Sequence, residues 1–233
     1  MSVDLQRSLR GYIAAQAHRG RKKRRTQLPV VSNAREAGAG AVTIARRLAK
    51  ELEERRTIPD APPWTVCNRS LVEMVLEDHK LPRELRRFMP ENARSHLMDA
   101  VEQQLGLHPA NWTLVHHTTD TIARLANLGH VILVGRGSNL IAAHVKRSLH
   151  VRLVAPLKTR IRHLEKFYKM NEKEATDYLR SADRARKRYV KQHFHVSVAD
   201  PLHYDLVINT GRTGFSRAVQ IIADATPTVP VRK

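Results

Sequence analysis

Two glycines, Gly38 and Gly40, lie in a segment that has the composition of a phosphate-binding loop. The segment Ser32–Thr43 reads SNAREAGAGAVT and lies between an apolar run and a helical pattern. Glycines at such a junction let backbone N–H groups approach an anion, and the N-terminus of the helix adds a favourable partial charge. A tight turn from strand to helix would need two small residues as well, so this pattern alone is weak evidence for a phosphate site.

The same segment lacks two side chains of the full P-loop pattern. That pattern places a lysine on the β- and γ-phosphates and a serine or threonine on magnesium, and these positions are Ala41 and Val42 here. If the loop nevertheless holds ATP, we expect Gly40→Val to abolish ATP binding with little change in the thermal midpoint, since a side chain at Gly40 would crowd the phosphate.

A second junction places a cation where ligands bind in open α/β sheets. The apolar run His130–Val134 leads into Gly135-Arg136-Gly137. A guanidinium at the carboxyl end of a buried strand can hold phosphate oxygens in a bidentate way. Arg136 could instead cap a helix or pair with a carboxylate, and the sequence leaves both interpretations open.

The third candidate is a pair of basic helical segments, Pro156–Tyr168 and Glu172–His193. The second contains Arg180–Tyr189, which reads RSADRARKRY. A solvated basic face is the ordinary explanation of such a run. A cluster of guanidiniums with one carboxylate also fits a mobile lid that closes over a phosphoryl group.

Short apolar runs alternate with helical patterns and predict the scaffold for these residues. The predicted strands are Pro29–Ser32, Trp64–Cys67, His130–Gly135, Leu149–Val154 and Asp205–Asn209. The predicted helices are Val42–Arg55, Leu71–Asp78, Ser95–Leu105, Thr119–Leu128, Pro156–Tyr168, Glu172–His193 and Gly214–Ala223. Apolar strands separated by helices are typical of a parallel, doubly wound α/β sheet that is buried on both faces.

The charge of the chain is large and uneven. Lys and Arg number 41 against 22 Asp and Glu, a formal charge of +19 on 233 residues. Residues 1–30 contribute 8 − 1 = +7, and residues 157–193 contribute 12 − 5 = +7. This balance favours polyanionic partners, whether phosphorylated small molecules, nucleic acid or acidic lipid.

Several classes of protein are excluded by the same reading. The apolar runs are too short for a membrane span or a signal peptide, so we expect a cytoplasmic protein. Cys67 is the one cysteine and cannot form an intrachain disulfide. The histidine pairs His116-His117 and His193 with His195 lack a third ligand at regular spacing, so no metal site is predicted.

Taken together, several ordered stretches give the chain a family resemblance. It resembles the cytidylate kinase-like proteins, a branch of the P-loop nucleoside monophosphate kinases, from about Pro29 to Ala223. The matching stretches are Arg35 with Gly38, Gly40 and Ile44-Ala45; Asn68–Leu71; Val134–Gly137; Leu149–Leu157; Asp183–Arg186 with Tyr189–Lys191; and Asp200-Pro201 with Tyr204–Thr210.

The resemblance implies a P-loop kinase-like fold of five parallel strands with flanking helices and a helical, Arg-rich lid. It implies ATP with Mg²⁺ and a nucleotide acceptor as ligands. By position, the donor phosphates would lie on Arg35, Gly38, Ala39, Gly40 and Thr43; the acceptor phosphate on Arg69 and Arg136; and the transferring group on Arg184 and Arg186, oriented by Asp183. Relatives of this kind usually have Gly-Arg-Glu at positions 41–43 and an acid at position 68, where this chain has Asn68.

We therefore expect a basic arm at residues 1–27, a nucleotide kinase-like domain at 28–225 and a short tail at 226–233. Three functions follow. The chain is a kinase that passes phosphate from ATP to CMP or a related acceptor, a pseudokinase that binds nucleotide without turnover, or a nucleic-acid-binding protein that uses its basic arm. The altered loop favours the second, the run Arg21–Arg25 favours the third, and the sequence leaves the oligomeric state open.

Overall fold

The computed structural model of the chain describes residues 27–56, 61–68 and 108–228. In these ranges the strands are β1 (Val30–Arg35), β2 (Thr65–Cys67), β3 (Val131–Val134), β4 (Ser148–Val154) and β5 (Leu206–Asn209). The helices are α1 (Ala41–Glu54), α2 (His108–Leu128), α3 (Ser138–Ile141), α4 (Leu157–Tyr168), α5 (Glu172–Phe194) and α6 (Thr210–Ala225), with a 3₁₀ turn at Pro201–His203.

The strands form one parallel sheet in the order β2-β3-β1-β4-β5. β1 is central, and its Val30 lies opposite Val131 of β3 and Ser148 of β4. Because all strands run the same way, their carboxyl ends meet at one edge, where Arg35, Gly135 and Asn209 lie. The predicted five-stranded parallel α/β sheet is therefore confirmed.

Apolar helices cover both faces of the sheet, as alternation along the strands requires. On one face, Val31 and its neighbours on β4 pack against α1 and α6 through residues such as Ile44 and Ile222. On the other face, Val30 of β1 packs with Val131 and Leu133 of β3 against Ile122 and Leu125 of α2. Two covered faces hold the carboxyl edge of the sheet rigid.

The helices α4 and α5 form a hairpin that packs outside the sheet. Their connection is short, Lys169–Asn171, and α5 begins with a capping box in which the Asn171 side chain accepts from the Glu174 N–H. Leu164 on α4 and Leu179 on α5 are buried in one cluster with Ala37. Ala37 lies in the loop after β1, so this hairpin is anchored on the predicted phosphate loop.

The predicted boundaries differ from the structure mainly at three places. β1 extends to Arg35 rather than Ser32, because Asn33 and Ala34 continue the parallel ladder with β4. α2 begins at His108 rather than Thr119, and α6 begins at Thr210, with a break at Gly214 where the prediction began the helix. The predicted helices Leu71–Asp78 and Ser95–Leu105 and the predicted arm lie outside the described residues. No helix in the described ranges is both long and apolar enough to cross a membrane.

Candidate phosphate-binding site

The loop between β1 and α1 has the geometry of an anion-binding turn. Gly38 and Gly40 have φ of 75° and 84°, a left-handed conformation that glycine adopts without steric cost. Gly40 is the N-cap of α1, no side chain caps it, and the first turn of the helix contains no acid. The first-turn N–H groups and the helix dipole therefore present positive partial charge to the loop.

The side chains at the start of α1 supply no charge of their own. Ala41 is buried, Val42 is partly exposed, and the predicted phosphate contacts Ala39 and Thr43 are buried and half-buried. The positions of the P-loop lysine and of its hydroxyl neighbour thus carry only hydrocarbon. The side chains at these two positions therefore cannot ligate a magnesium ion, because magnesium binds oxygen ligands.

The hairpin of α4 and α5, which is the predicted lid, contacts the loop after β1 through Asp183. Its Oδ1 accepts the Ala37 N–H at 2.7 Å, and its Oδ2 accepts from Arg160 Nη1 at 2.6 Å. Arg160 also donates to the carbonyls of Ala37 and Ala155, and its Nε lies 3.6 Å from Glu36 Oε2. The Arg160 side chain is only 11% exposed, so these contacts are shielded from solvent.

Aromatic rings close the other side of the loop. His163 Nδ1 lies 2.8 Å from the Gly38 carbonyl oxygen, which can only accept, so Nδ1 carries the proton in this contact. The His163 ring contacts Phe215 at 5.2 Å and Phe167 at 4.8 Å between centroids.

The ring of Phe215 lies directly against the loop glycine. A Cβ built on Gly40 would lie 2.2 Å from Phe215 Cζ. The expectation that Gly40→Val leaves the thermal midpoint unchanged is therefore wrong, because any side chain there strains φ and collides with this ring.

A pocket of about 40 Å³ opens at the carboxyl edge between β1, β3 and α5. Three arginines contribute to its lining, Arg35, Arg136 and Arg186. Its other lining residues are Ala34, Gly135, Gly137, Asn139, Ala185, Tyr189, Val190 and Val198. A single water needs about 10–15 Å³ by this measure, so the pocket admits about three water-sized groups. That is close to the size of a phosphate group and much smaller than a nucleoside.

The backbone around Arg136 is strained at this pocket. Gly135, Arg136 and Gly137 all have positive φ, of 82°, 60° and 68°. The left-handed conformation costs an arginine about 1–2 kcal/mol. Such strain concentrates at ligand sites, where the surrounding structure holds it. Here a Cβ on Gly137 would lie 2.4 Å from the Phe194 ring at the end of α5, so the lid helix packs directly on this turn.

Of the residues predicted to act on the transferring group, two lie together. Arg186 lines the pocket, and its Nη1 lies 3.4 Å from Asp183 Oδ1, so Asp183 does contact one of the two arginines it was predicted to orient. Arg184 lies on the exposed side of α5. Arg69 is outside the described residues, and its role remains a prediction.

The sequence interpretation did not include Arg160, His163, Phe215 and Tyr189 among the candidate site residues. Arg160 had a detectable signal, because it shares one side of α4 with the apolar residues Ile161 and Leu164. A cation on the apolar side of a helix requires a buried partner. Which partner it has, Asp183, follows only from the packing of α4 on α5.

A partly buried chain of hydrogen bonds crosses β1 and β4. Ser148 Oγ donates to the Val145 carbonyl at 2.8 Å, so it accepts from His150 Nε2 at 2.9 Å. His150 Nδ1 then accepts from Ser32 Oγ at 2.8 Å. Burial lowers the pKa of His150, with the nearby Asp205 carboxylate opposing that shift. The imidazole is therefore held in its neutral form in the sheet.

Solved structures include proteins that are similar to this chain. A crystal structure of an uncharacterized protein from Eubacterium ventriosum is similar, with a TM-score of 0.61 and 17% identity over 84% of this chain and 96% of that chain. A shikimate kinase from Bacteroides thetaiotaomicron gives a TM-score of 0.45 and 13% identity over 85% and 98%. At 17% identity, the similarity to the Eubacterium ventriosum protein shows a shared fold and nothing about function.

One curated protein is similar in part of the chain. A protein named uronate isomerase from Corynebacterium glutamicum is 27% identical over 115 residues, which are 49% of this chain. The match spans 22% of that protein's length.

The family comparison covers most of the chain. The model described as "Cytidylate kinase-like family" matches residues 30–212, from β1 to the first turn of α6. This range contains the loop after β1, the turn around Arg136 and the whole lid hairpin. The match and the strand order together confirm the predicted P-loop kinase-like fold, and the chain belongs to the cytidylate kinase-like family.

Proposed function

We propose that this protein binds nucleotides at the carboxyl edge of its sheet and transfers a phosphoryl group from ATP to CMP or a related acceptor. One observation carries the proposal. Arg35, Arg136 and Arg186, which come from three distant parts of the chain, line a single small pocket beside the glycine loop. Phosphoryl transfer is catalysed mainly by positioning and by neutralising charge, and convergent guanidiniums supply both.

The two substrates would lie on either side of this pocket. The donor phosphates fit the N-terminus of α1, where Gly38 and Gly40 bring backbone N–H groups close to an anion. The acceptor phosphate fits Arg136, which is fixed in the turn after β3, with Arg69 as the second predicted contact. Arg186, attached to the lid, would neutralise the group that passes between them.

A pseudokinase is the second candidate, and Ala41 and Val42 favour it. Without the loop lysine, the cations near the transferring group are those of the pocket, and Arg186 already contacts Asp183. A protein that binds nucleotide without turnover would retain the anion-binding loop and lose only the transition-state contacts.

Two measurements together separate the two candidates. The first is a coupled assay of phosphoryl transfer from ATP to a panel of nucleoside monophosphates. The second is calorimetric titration of ATP with and without Mg²⁺. Turnover that Arg186→Gln abolishes and Arg180→Gln leaves unchanged supports the kinase. Saturable ATP binding without turnover supports the pseudokinase. Absence of nucleotide binding in the folded protein contradicts both.

The third interpretation, a nucleic-acid-binding protein with a basic arm, depends on residues 1–27. Residues 1–26 lie outside the described part of the chain. The proposal for the arm therefore rests on its charge of about +7 and on the general affinity of such runs for polyanions.

A further inference from the structure

The outer side of α5 carries a continuous row of cations. Its members are exposed, and we call them the α5 ridge: Lys173, Arg180, Arg184, Lys187, Arg188 and Lys191. At 3.6 residues per turn they fall within an arc of about 100° and extend over about 27 Å of helix. Asp177 is the one acid in that arc.

The ridge points away from the phosphate pocket. The pocket is lined from α5 by Ala185, Arg186, Tyr189 and Val190, which lie on the opposite side of the helix. Neighbours in the sequence therefore face different surroundings. Arg186 is 14% exposed and bound to Asp183, whereas Arg184 is on the exposed side. In this structure the ridge is therefore separate from the pocket.

Neither stability nor solubility explains the ridge. Arg180 with Arg184, Arg184 with Arg188, and Lys187 with Lys191 are like charges four residues apart, which destabilise a helix. Among the described residues, no carboxylate forms an ion pair within 4.0 Å with Arg180, Arg184, Lys187 or Lys191. Mixed charges would keep the surface soluble without this repulsion.

We propose that the α5 ridge is a binding surface for the phosphate backbone of nucleic acid, without base selectivity. A row of lysine and arginine side chains along a straight helix neutralises successive phosphates and releases their counterions. The ridge contains no apolar or aromatic side chain that could read base edges, so contacts to phosphate carry the affinity.

An acidic membrane is the less suitable partner. An interfacial helix inserts an apolar face below the lipid headgroups. The apolar face of α5, with Ala175, Leu179 and Ala182, is buried against α4 and the loop after β1. What α5 offers to a partner is charge alone, at a spacing set by the helix.

The test is fluorescence anisotropy of the full-length protein with a 20-base-pair DNA duplex and with a single-stranded RNA of mixed sequence, over a series of salt concentrations. The ridge variant is R180Q/K187Q/K191Q. The matched control, R46Q/R47Q/R217Q, removes the same charge from exposed positions on α1 and α6. We expect the ridge variant to bind the duplex at least tenfold more weakly at 0.1 M salt than the control does. The slope of log binding constant against log salt concentration should be smaller in magnitude for the ridge variant by up to about 2.7, because each lost phosphate contact removes about 0.9.

Equal affinity and equal slope in the two variants would overturn the proposal, since net charge alone would then explain binding. It would also be overturned if the ridge variant lost binding to vesicles rich in phosphatidylserine but kept its nucleic-acid affinity. Loss with the duplex alone or with the RNA alone supports the proposal and identifies the form of nucleic acid. ATP binding by the ridge variant reports separately on the nucleotide site, because none of the three residues lines the pocket.

Discussion

The Asp183 carboxylate on α5 contacts both Arg160 on α4 and the loop after β1. Its Oδ2 accepts from Arg160 Nη1 at 2.6 Å, and its Oδ1 accepts the Ala37 N–H at 2.7 Å. The same carboxylate also lies 3.4 Å from Arg186 in the pocket. Asp183 thus couples the loop that would hold the donor to a guanidinium that would hold the transferring group. Lid position and loop position cannot change independently while these contacts persist.

Asp183→Asn should destabilise the folded protein and loosen the lid. It removes the nearer of the two carboxylates that contact the partly buried Arg160 and leaves Glu36 at 3.6 Å, at a cost of about 1–3 kcal/mol. Denaturant unfolding measures this loss. Asp177→Asn, at an exposed position on the same helix, is the control and should lower stability by less than 0.5 kcal/mol, on the order expected for surface changes. Equal losses in the two variants would show that the Asp183 contacts contribute little.

Gly40→Ala should lower stability through two separable effects. The left-handed φ of 84° costs a residue with a Cβ about 1–2 kcal/mol, and the Phe215 ring must also move. A double-mutant cycle with Phe215→Ala isolates the second effect, because removing the ring leaves only the backbone cost. If the two substitutions change the free energy of unfolding additively, the Phe215 ring moves aside for the methyl group introduced at position 40 at no cost. Calorimetric titration of ATP on the same four proteins reports whether Phe215 limits access to the loop.

Arg136→Lys should weaken binding of a nucleoside monophosphate by about 1–3 kcal/mol, since an ammonium cannot reproduce the guanidinium fork. The unphosphorylated nucleoside should bind equally to both proteins. Titration of CMP and cytidine checks this, and equal affinity of the wild-type protein for the two ligands would remove Arg136 from the acceptor site.

Arg186→Gln and Arg184→Gln should differ in their effects. Arg186 lines the pocket, so its loss should lower the transfer rate and weaken nucleotide binding, whereas Arg184 faces outward in this arrangement. A larger loss of transfer rate in Arg184→Gln than in Arg186→Gln would show that the lid rearranges and brings Arg184 to the transferring group, as the family resemblance predicts.

The neutral His150 should make stability fall on acidification. Its pKa is lowered in the folded protein, so the unfolded chain takes up the proton first as pH falls below about 6.5. Its contribution is fully present above that pH and is lost as pH falls through the lower, folded-state pKa. His193, whose pKa burial also lowers, acts in the same direction. Thermal midpoints between pH 8 and pH 5 should fall less steeply in His150→Gln than in the wild type, with the exposed His144→Gln as control.

Deletion of residues 1–26 should lower the salt slope for binding to RNA or DNA and leave ATP binding intact. The run Arg19–Arg25 has no apolar face to bury, and it attracts polyanions through counterion release. An unchanged slope would exclude the arm as a contact surface. Loss of ATP binding would instead show that the arm supplies positive charge to the loop in place of the missing lysine.

The order and type of the elements could be predicted from the sequence, because short Val- and Ile-rich runs and amphipathic helices are local patterns. β3, for example, is four consecutive apolar residues, and α4 and α5 carry their apolar residues at helical spacing. The position of the loop glycines between a strand and a helix could also be predicted, because the three segments are adjacent in the chain. The last three residues of β1 could not be predicted, because Asn33 and Arg35 are strand residues only through their pairing with neighbouring strands.

The fold class, the family resemblance and the absence of the loop lysine at Ala41 can all be inferred from the amino-acid sequence. The three-dimensional packing is needed to show which arginines share a pocket, which carboxylate binds Arg160, and that Phe215 lies against Gly40. Arg184 and Arg186 show the physical reason. Two residues apart on a helix, they are separated by about 200° around its axis, so their surroundings depend on which side of α5 faces the loop after β1. That side is set by contacts such as the one between Asp183 and Ala37, which are 146 positions apart in the chain, and no local pattern contains it.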